Sequence, residues 1–252
     1  MPRYFLEVAY KGTRYSGFQV QPGTLTIQSE VEKALRVIFP SISSSSGYLL
    51  TGSSRTDAGV HALQNFFHFD TDIIIPPERV YNLNAILPPD IVIKGIYPVA
   101  PGAHSRFDAV SRQYKYFICQ SKSPFLNDRS WYYPFRLNIE SLNKAAAVLM
   151  QYQDFTSFSK RNTQVKTFLC NIHVSEWVAE NNCLVYHVQG NRFLRGMVRG
   201  LVGTMLKVGR GVLSVEDFCR IIEARDCTRA DFSAVSHGLF LVAVNYPYPL
   251  QA

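Results

Sequence analysis

Polar and apolar residues alternate along Arg-Tyr-Phe-Leu-Glu-Val-Ala-Tyr at positions 3–10, and that period of two predicts a β-strand. The period then changes. Ile27, Val31, Ala34, Leu35 and Ile38 fall on one side of a 3.6-residue repeat, which predicts an amphipathic helix over 26–39 with Thr26 as its N-cap. Strands are expected over 47–52 and 63–70, a short helix opened by prolines over 76–87, and a strand over 90–99. The same rhythm restarts near residue 104. It gives an aromatic-rich strand (112–120), a helix (138–152), two strands (166–178 and 183–190) joined by a turn at Glu180–Asn182, and a last strand (238–247). A further helix (214–225) is capped by Ser214 with Asp217 at its third position.

The order strand-helix-strand-strand-helix-strand, met twice, predicts an α+β fold of two ferredoxin-like βαββαβ halves, 1–103 and 104–252. Their sheets are expected to join into one mainly antiparallel sheet, with helices on one face and a cleft between the halves. The two halves share a pattern rather than sequence identity. A long helix is expected from Asn191 to Gly209. On it, Leu194, Met197, Val198, Leu201, Val202, Met205 and Val208 form an apolar side. Arg192, Arg195 and Arg199 fall within about 60° of one another on the opposite side. Gly196 and Gly203 lie near that stripe, so little bulk separates its arginines, and a phosphodiester backbone is expected to approach it. Most charge runs are solvated faces, but this stretch contains no acid.

Charge points the same way. Lys and Arg outnumber Asp and Glu 26 to 19, a net +7 that favours a polyanionic partner, nucleic acid ahead of membrane. No apolar run is long enough to span a bilayer, and the chain enters its first strand without the features of a secretion leader. The five cysteines are odd in number and show no C-x-x-C spacing, so reduced thiols in a cytoplasm are expected. The serine-rich stretch 41–47 reads as a connector.

Residues 51–62, Thr-Gly-Ser-Ser-Arg-Thr-Asp-Ala-Gly-Val-His-Ala, are far longer than a tight hairpin needs. Gly52 and Gly59 bracket a polar run in which Asp57 is either a positioned carboxylate or an ordinary turn aspartate loosely paired with Arg55. His61 reads as a structural histidine, because no cluster with metal-ligand spacing surrounds it; no metal site is expected.

The stretch Ser-Arg-Thr-Asp-Ala-Gly-Val-His-Ala resembles the signature of the tRNA pseudouridine synthase A family, G-R-T-D-A-G-V-H. Further segments resemble that family in order: 8–21, 107–116 with an R-x-Y-x-Y pattern, 154–159, the 191–209 segment with F-L-x-x-M-V-R-x-x-V-G, and 238–247. Nearly the whole chain is covered. Ser54 departs from the usual glycine; serine is small, and the turn is expected to survive.

The resemblance implies an enzyme that detaches uracil from C1′, turns it and rejoins it through C5, without cofactor or metal. The uridines are those at positions 38–40, on the 3′ side of the tRNA anticodon stem-loop. By the same resemblance Asp57 is the catalytic carboxylate, and Arg199 its basic partner, a pairing that favours the ionised acid. Tyr114 stacks on the target base while its neighbour Tyr116 is core. Arg55 helps evict the base and fills its place. Leu239 and Leu241 resemble an apolar pocket wall, though plain sheet core explains them equally. From the basic stripe described above, Arg192 and Arg195 are expected to contact RNA, and Lys160, Arg161 and Lys166, which follow the 154–159 segment, are further candidates for phosphate contacts. Family members work as homodimers. The competing readings are a non-catalytic RNA-binding protein of ferredoxin-like fold and, more weakly, a structural paralogue of an active partner.

Overall fold

A computed structural model describes residues 1–42, 50–161 and 165–251. Most of the serine-rich connector and the first residues of the strand expected over 47–52 lie outside the described residues. The chain divides into two compact units, one formed by residues 1–110 with 241–252, the other by residues 111–240.

The first unit runs β1 (Arg3–Tyr10), α1 (Ile27–Ile38), β2 (Thr51–Gly52), β3 (His61–Asp70), α2 (Arg79–Ile86) and β4 (Ile91–Val99). Strand β1 lies between β3 and β4, antiparallel to both, with Arg3 opposite Asp70 on one side and Val99 on the other. Strand β2 adds to β3 at Phe67 and His68, completing the βαββαβ unit. The hydrophobic period sets α1: Ile27, Val31, Ala34 and Leu35 are all buried. The Thr26 side chain accepts from Ser29 N, and Ser29 answers at Thr26 N, a capping box that satisfies two otherwise unpaired donors. The prolines at 76 and 77 precede α2 rather than opening it, and form a turn in which Arg79 N bonds Pro76 O at 3.1 Å. Phe5, Leu6 and Val8 of β1 are buried in this core with Phe66 and Phe67 of β3, where the Phe18 and Phe67 rings stack at 4.4 Å.

The second unit runs β5 (Ser111–Cys119), β6 (Trp131–Tyr132), α3 (Ile139–Val148), β7 (Ile172–Glu180), β8 (Cys183–Gly190), α4 (Met197–Gly209) and α5 (Val215–Glu223). Strand β8 is antiparallel to β5 and to β7, and the short β6 is parallel to β5. The turn expected at Glu180–Asn182 is a two-residue hairpin: Asn181 and Asn182 both have positive φ, the geometry that matches strand twist. Ser214 and Asp217 form the expected capping box of α5. Strand β9 (Leu239–Asn245) begins in this unit and ends in the first, where Val244 N bonds the Gln64 side chain. The fold is α+β and its strand pairing mainly antiparallel.

Two expectations fail here. The helix does not begin at Asn191. Gly196 has φ +75°, a left-handed angle that cannot continue a right-handed helix, and α4 starts at Met197. Arg192 and Arg195 therefore precede the helix and share no face with Arg199. Gly203 does not open the helix to a phosphodiester either. A Cβ there would come within 2.3 Å of Asp231 O, so the glycine lets the chain's own backbone approach. The second failure concerns the thiols. Cys119 and Cys183 are joined by a disulfide, leaving Cys170, Cys219 and Cys227 free. The cause is register: Ile118 faces Leu184 across the β5–β8 ladder, so Cys119 and Cys183 are the next opposed pair, with Cα atoms 4.5 Å apart. Spacing along the chain, 64 residues, carries no trace of that pairing.

Candidate active site

Asp57 sits on the turn between β2 and β3, and that turn is tied down along its length. Ser53 N bonds Phe66 O at 2.7 Å. The carbonyl of Ser54 accepts from the buried Asn65 side chain at 2.8 Å, and the Thr56 hydroxyl meets Tyr10 Oη at 2.8 Å. Thr56 O accepts from Phe18 N at 3.1 Å, and Asp57 O from Val60 N at 3.2 Å. These bonds explain the composition. Small side chains at 53 and 54 fit against β3, and Gly59 supplies the positive φ that closes the turn. Ser54 is 8% exposed. It is not among the positive-φ residues, so it meets the backbone requirement at that position without glycine. The hydroxyls of Ser53 and Ser54 are buried without a hydrogen-bond partner among the described residues, a rarity in a folded core.

His61 opens β3 at the end of this turn. It is buried, and its Nδ1 accepts from Gly12 N at 3.0 Å, which ties the far end of the turn to the loop after β1. Asp57 itself is half-buried and Arg55 exposed.

Beside this turn the first unit has a cleft of about 400 Å3, floored by Phe18, Val20, Leu50 and Gly52 and rimmed by Arg55, His104, Arg106 and Phe107. Of these, the sequence singled out Arg55 as a candidate contact and Gly52 as a turn residue. The sequence carried no signal for Arg106 and Phe107, because the exposure of the Phe107 ring is set by the tertiary fold. Nearby, His68 is buried, and its pKa is lowered to about 4, first by desolvation and then by His104 and Arg3. Its Nδ1 lies 2.8 Å from the Ser105 hydroxyl.

In the second unit, Tyr114 and Tyr116 point from the same face of β5 but differ in environment. Tyr116 is fully buried core; burial pushes its phenol pKa far up, and its hydroxyl donates to Val235 O at 2.8 Å. Tyr114 is half-buried, with Phe193 edge-on at 5.0 Å. Arg199 lies in the first turn of α4, half-buried, and its Nε donates to Ala234 O at 2.6 Å. A cation at a helix N-terminus opposes the helix dipole at a cost of about 0.3–1 kcal/mol, so its position is not explained by helix stability. Arg192 is half-buried and Arg195 exposed; Arg195 O accepts from Lys160 N at 3.0 Å. Lys160 and Arg161 line a second cleft of about 320 Å3 with Arg225 and Asp226; Lys166 is not among its lining residues. Leu239 and Leu241 are both buried.

A family model described as tRNA pseudouridine synthase matches residues 145–247. Over nearly its whole length the chain is similar to proteins named tRNA pseudouridine synthase A. That of Parabacteroides distasonis is 43% identical, the alignment covering 99% of this chain and 98% of the relative. That of Bacteroides thetaiotaomicron is 43% identical, covering 98% and 91%. That of Bacillus subtilis is 38% identical, covering 95% and 97%.

Proposed function

Since this chain belongs to the tRNA pseudouridine synthase family, we propose that it converts uridines of the tRNA anticodon stem-loop to pseudouridine through Asp57, without a cofactor. It is an isomerase that makes pseudouridine in tRNA. In that reaction the N1–C1′ bond breaks, a C5–C1′ bond forms, C5 gives up its hydrogen and N1 gains one. The product has the same atoms as the substrate, so neither an oxidant nor an energy source is required.

The observation that carries the assignment to Asp57 is the turn itself. Five backbone and side-chain ties hold residues 53 to 60, while the aspartate they frame stays half-exposed. Such restraint is what a reacting carboxylate needs, since misplacement by about 1 Å can cost about a hundredfold in rate. The family motifs assign Arg199 as the basic residue of the same reaction, Tyr114 as the platform for the base, and Arg55 as the group that takes the evicted base's place. They assign Leu239 and Leu241 to the apolar pocket wall. Arg192 and Arg195 supply cationic charge for RNA from the segment before α4. The working form is a cytoplasmic homodimer.

Replacing Asp57 with Ala or Asn tests the central claim. Pseudouridine formation in tRNA, read by chemical mapping, should fall to background while tRNA affinity stays within about threefold, because removing a carboxylate does not weaken a site for polyanions. A variant that still modifies tRNA at a measurable fraction of the normal rate would remove Asp57 from the chemistry.

A further inference from the structure

The cleft beside the Asp57 turn combines three features that suit one ligand class. Its rim carries two guanidiniums, Arg55 and Arg106, and none of its described lining residues is acidic. It offers an aromatic face, since Phe107 is 75% exposed. That ring is held in place. His104 lies 4.2 Å from it, and His104 Nδ1 accepts the backbone N–H groups of Arg106 and Phe107 at 3.1 and 3.3 Å. Asp108 accepts from His104 N at 2.8 Å and from Tyr248 Oη at 2.8 Å, closing the turn beneath. The Arg106 guanidinium stands 5.8 Å from the Phe107 ring centre. A fixed aromatic face with adjacent cations is how proteins hold an unpaired nucleotide: the base stacks on the ring and the phosphate meets arginine.

We infer that this cleft holds a second nucleotide of the RNA, the one adjoining the uridine that reacts, with its base on Phe107 and its phosphate between Arg55 and Arg106. The inference rests on the function proposed above. Arg55 supplies the link: it rims the cleft and precedes Asp57 by two residues, at most about 7 Å of chain. Drawing the target uridine out of the arm strips its neighbour of a stacking partner; Arg55, at the vacated place, meets the neighbour's phosphate, and Phe107 offers its ring to the neighbour's base. A volume of about 400 Å3 lies within the range of about 300–1,000 Å3 found for small-ligand pockets.

The test pairs a protein change with a substrate change. Phe107→Ala should lower kcat/KM on intact tRNA about tenfold, the size expected for one lost base stack. Phe107→Tyr should retain activity. On transcripts carrying an abasic ribose immediately 5′ or immediately 3′ of the target, one of the two should make Phe107→Ala and wild type equivalent, because the partner of the ring is gone. Arg106→Gln should weaken tRNA binding and reduce its salt slope by about one. Melting temperatures equal to wild type would exclude misfolding. Wild-type rates for Phe107→Ala on intact tRNA, or the same loss on both abasic transcripts, would overturn the inference. If the wild-type protein made no pseudouridine at all, the parent reading would fail instead, and the dissociation constants of the same variants and transcripts would still decide whether the cleft holds that nucleotide.

Discussion

Gly12→Ala probes how tightly the Asp57 turn is built. A Cβ at position 12 would lie 1.9 Å from Val60 O and 2.7 Å from Val60 C, where ordinary contact begins near 3.4 Å. The shortfall, 3.4 − 1.9, is about 1.5 Å, and both parties are backbone, so no side chain can swing aside to absorb it. Val60 closes the turn through its bond to Asp57 O, and Gly12 N holds His61, so relief must break the Gly12–His61 bond or displace the turn. Overpacking costs about 1–3 kcal/mol and a buried group left without its partner about 1–3 more, for a total of about 2–6 kcal/mol. At about 2–4 °C per kcal/mol the melting temperature should fall by roughly 4–24 °C. A shift of this size at Asp57 should cost activity about a hundredfold or more. Thermal unfolding followed by circular dichroism reads the first effect. Release of tritium from C5 of labelled uridines in tRNA reads the second. Gly102→Ala is the control: a Cβ there meets nothing within 4 Å and its φ is not positive, so it should change stability by no more than about 0.5 kcal/mol. A Gly12→Ala protein that melts within about 2 °C of wild type and keeps its full rate would refute the close approach on which the argument depends.

Two further outcomes concern acid and thiols. His68 is kept neutral in the fold, with a pKa of about 4, while in the unfolded chain it titrates near 6.5. Between those values the unfolded chain takes up a proton the native state refuses, so the first unit should lose stability as pH falls from about 6.5 to 4, by at most about 3 kcal/mol. Asp70 and Asp108, both held below the usual carboxylate range by hydrogen bonds, lose their contribution only at lower pH. His68→Gln should flatten the 6.5-to-4 limb of a denaturation series; an unchanged slope would contradict the assignment. For the cysteines, thiol counting in denaturant without reductant should find the three free residues Cys170, Cys219 and Cys227, and five after reduction. Reduction should also lower the second unit's stability, by up to about 4 kcal/mol if chain entropy alone acts across the 64-residue separation. Five reactive thiols before reduction would refute the bridge.

What the sequence by itself determined is local. The period of α1 and its Thr26 cap, the Asn181–Asn182 hairpin and the Ser214–Asp217 box all follow from spacings of a few residues, because backbone geometry fixes which neighbours share a face or a turn. The Asp57 segment was legible too, as an unusually long polar turn whose family likeness named its residues. Tertiary structure decided the partners. Residues 241–252 rejoin the first unit, Cys119 meets Cys183, and Arg106 and Phe107 come to the rim that Arg55 shares. Even the start of α4 was tertiary: the apolar stripe runs on through Leu194, but Gly196 turns the chain left-handed where Lys160 packs against it. Such pairings are chosen by which surfaces exclude water together once the chain has closed on itself, and a period of 2 or 3.6 residues carries no label for a partner dozens of residues away.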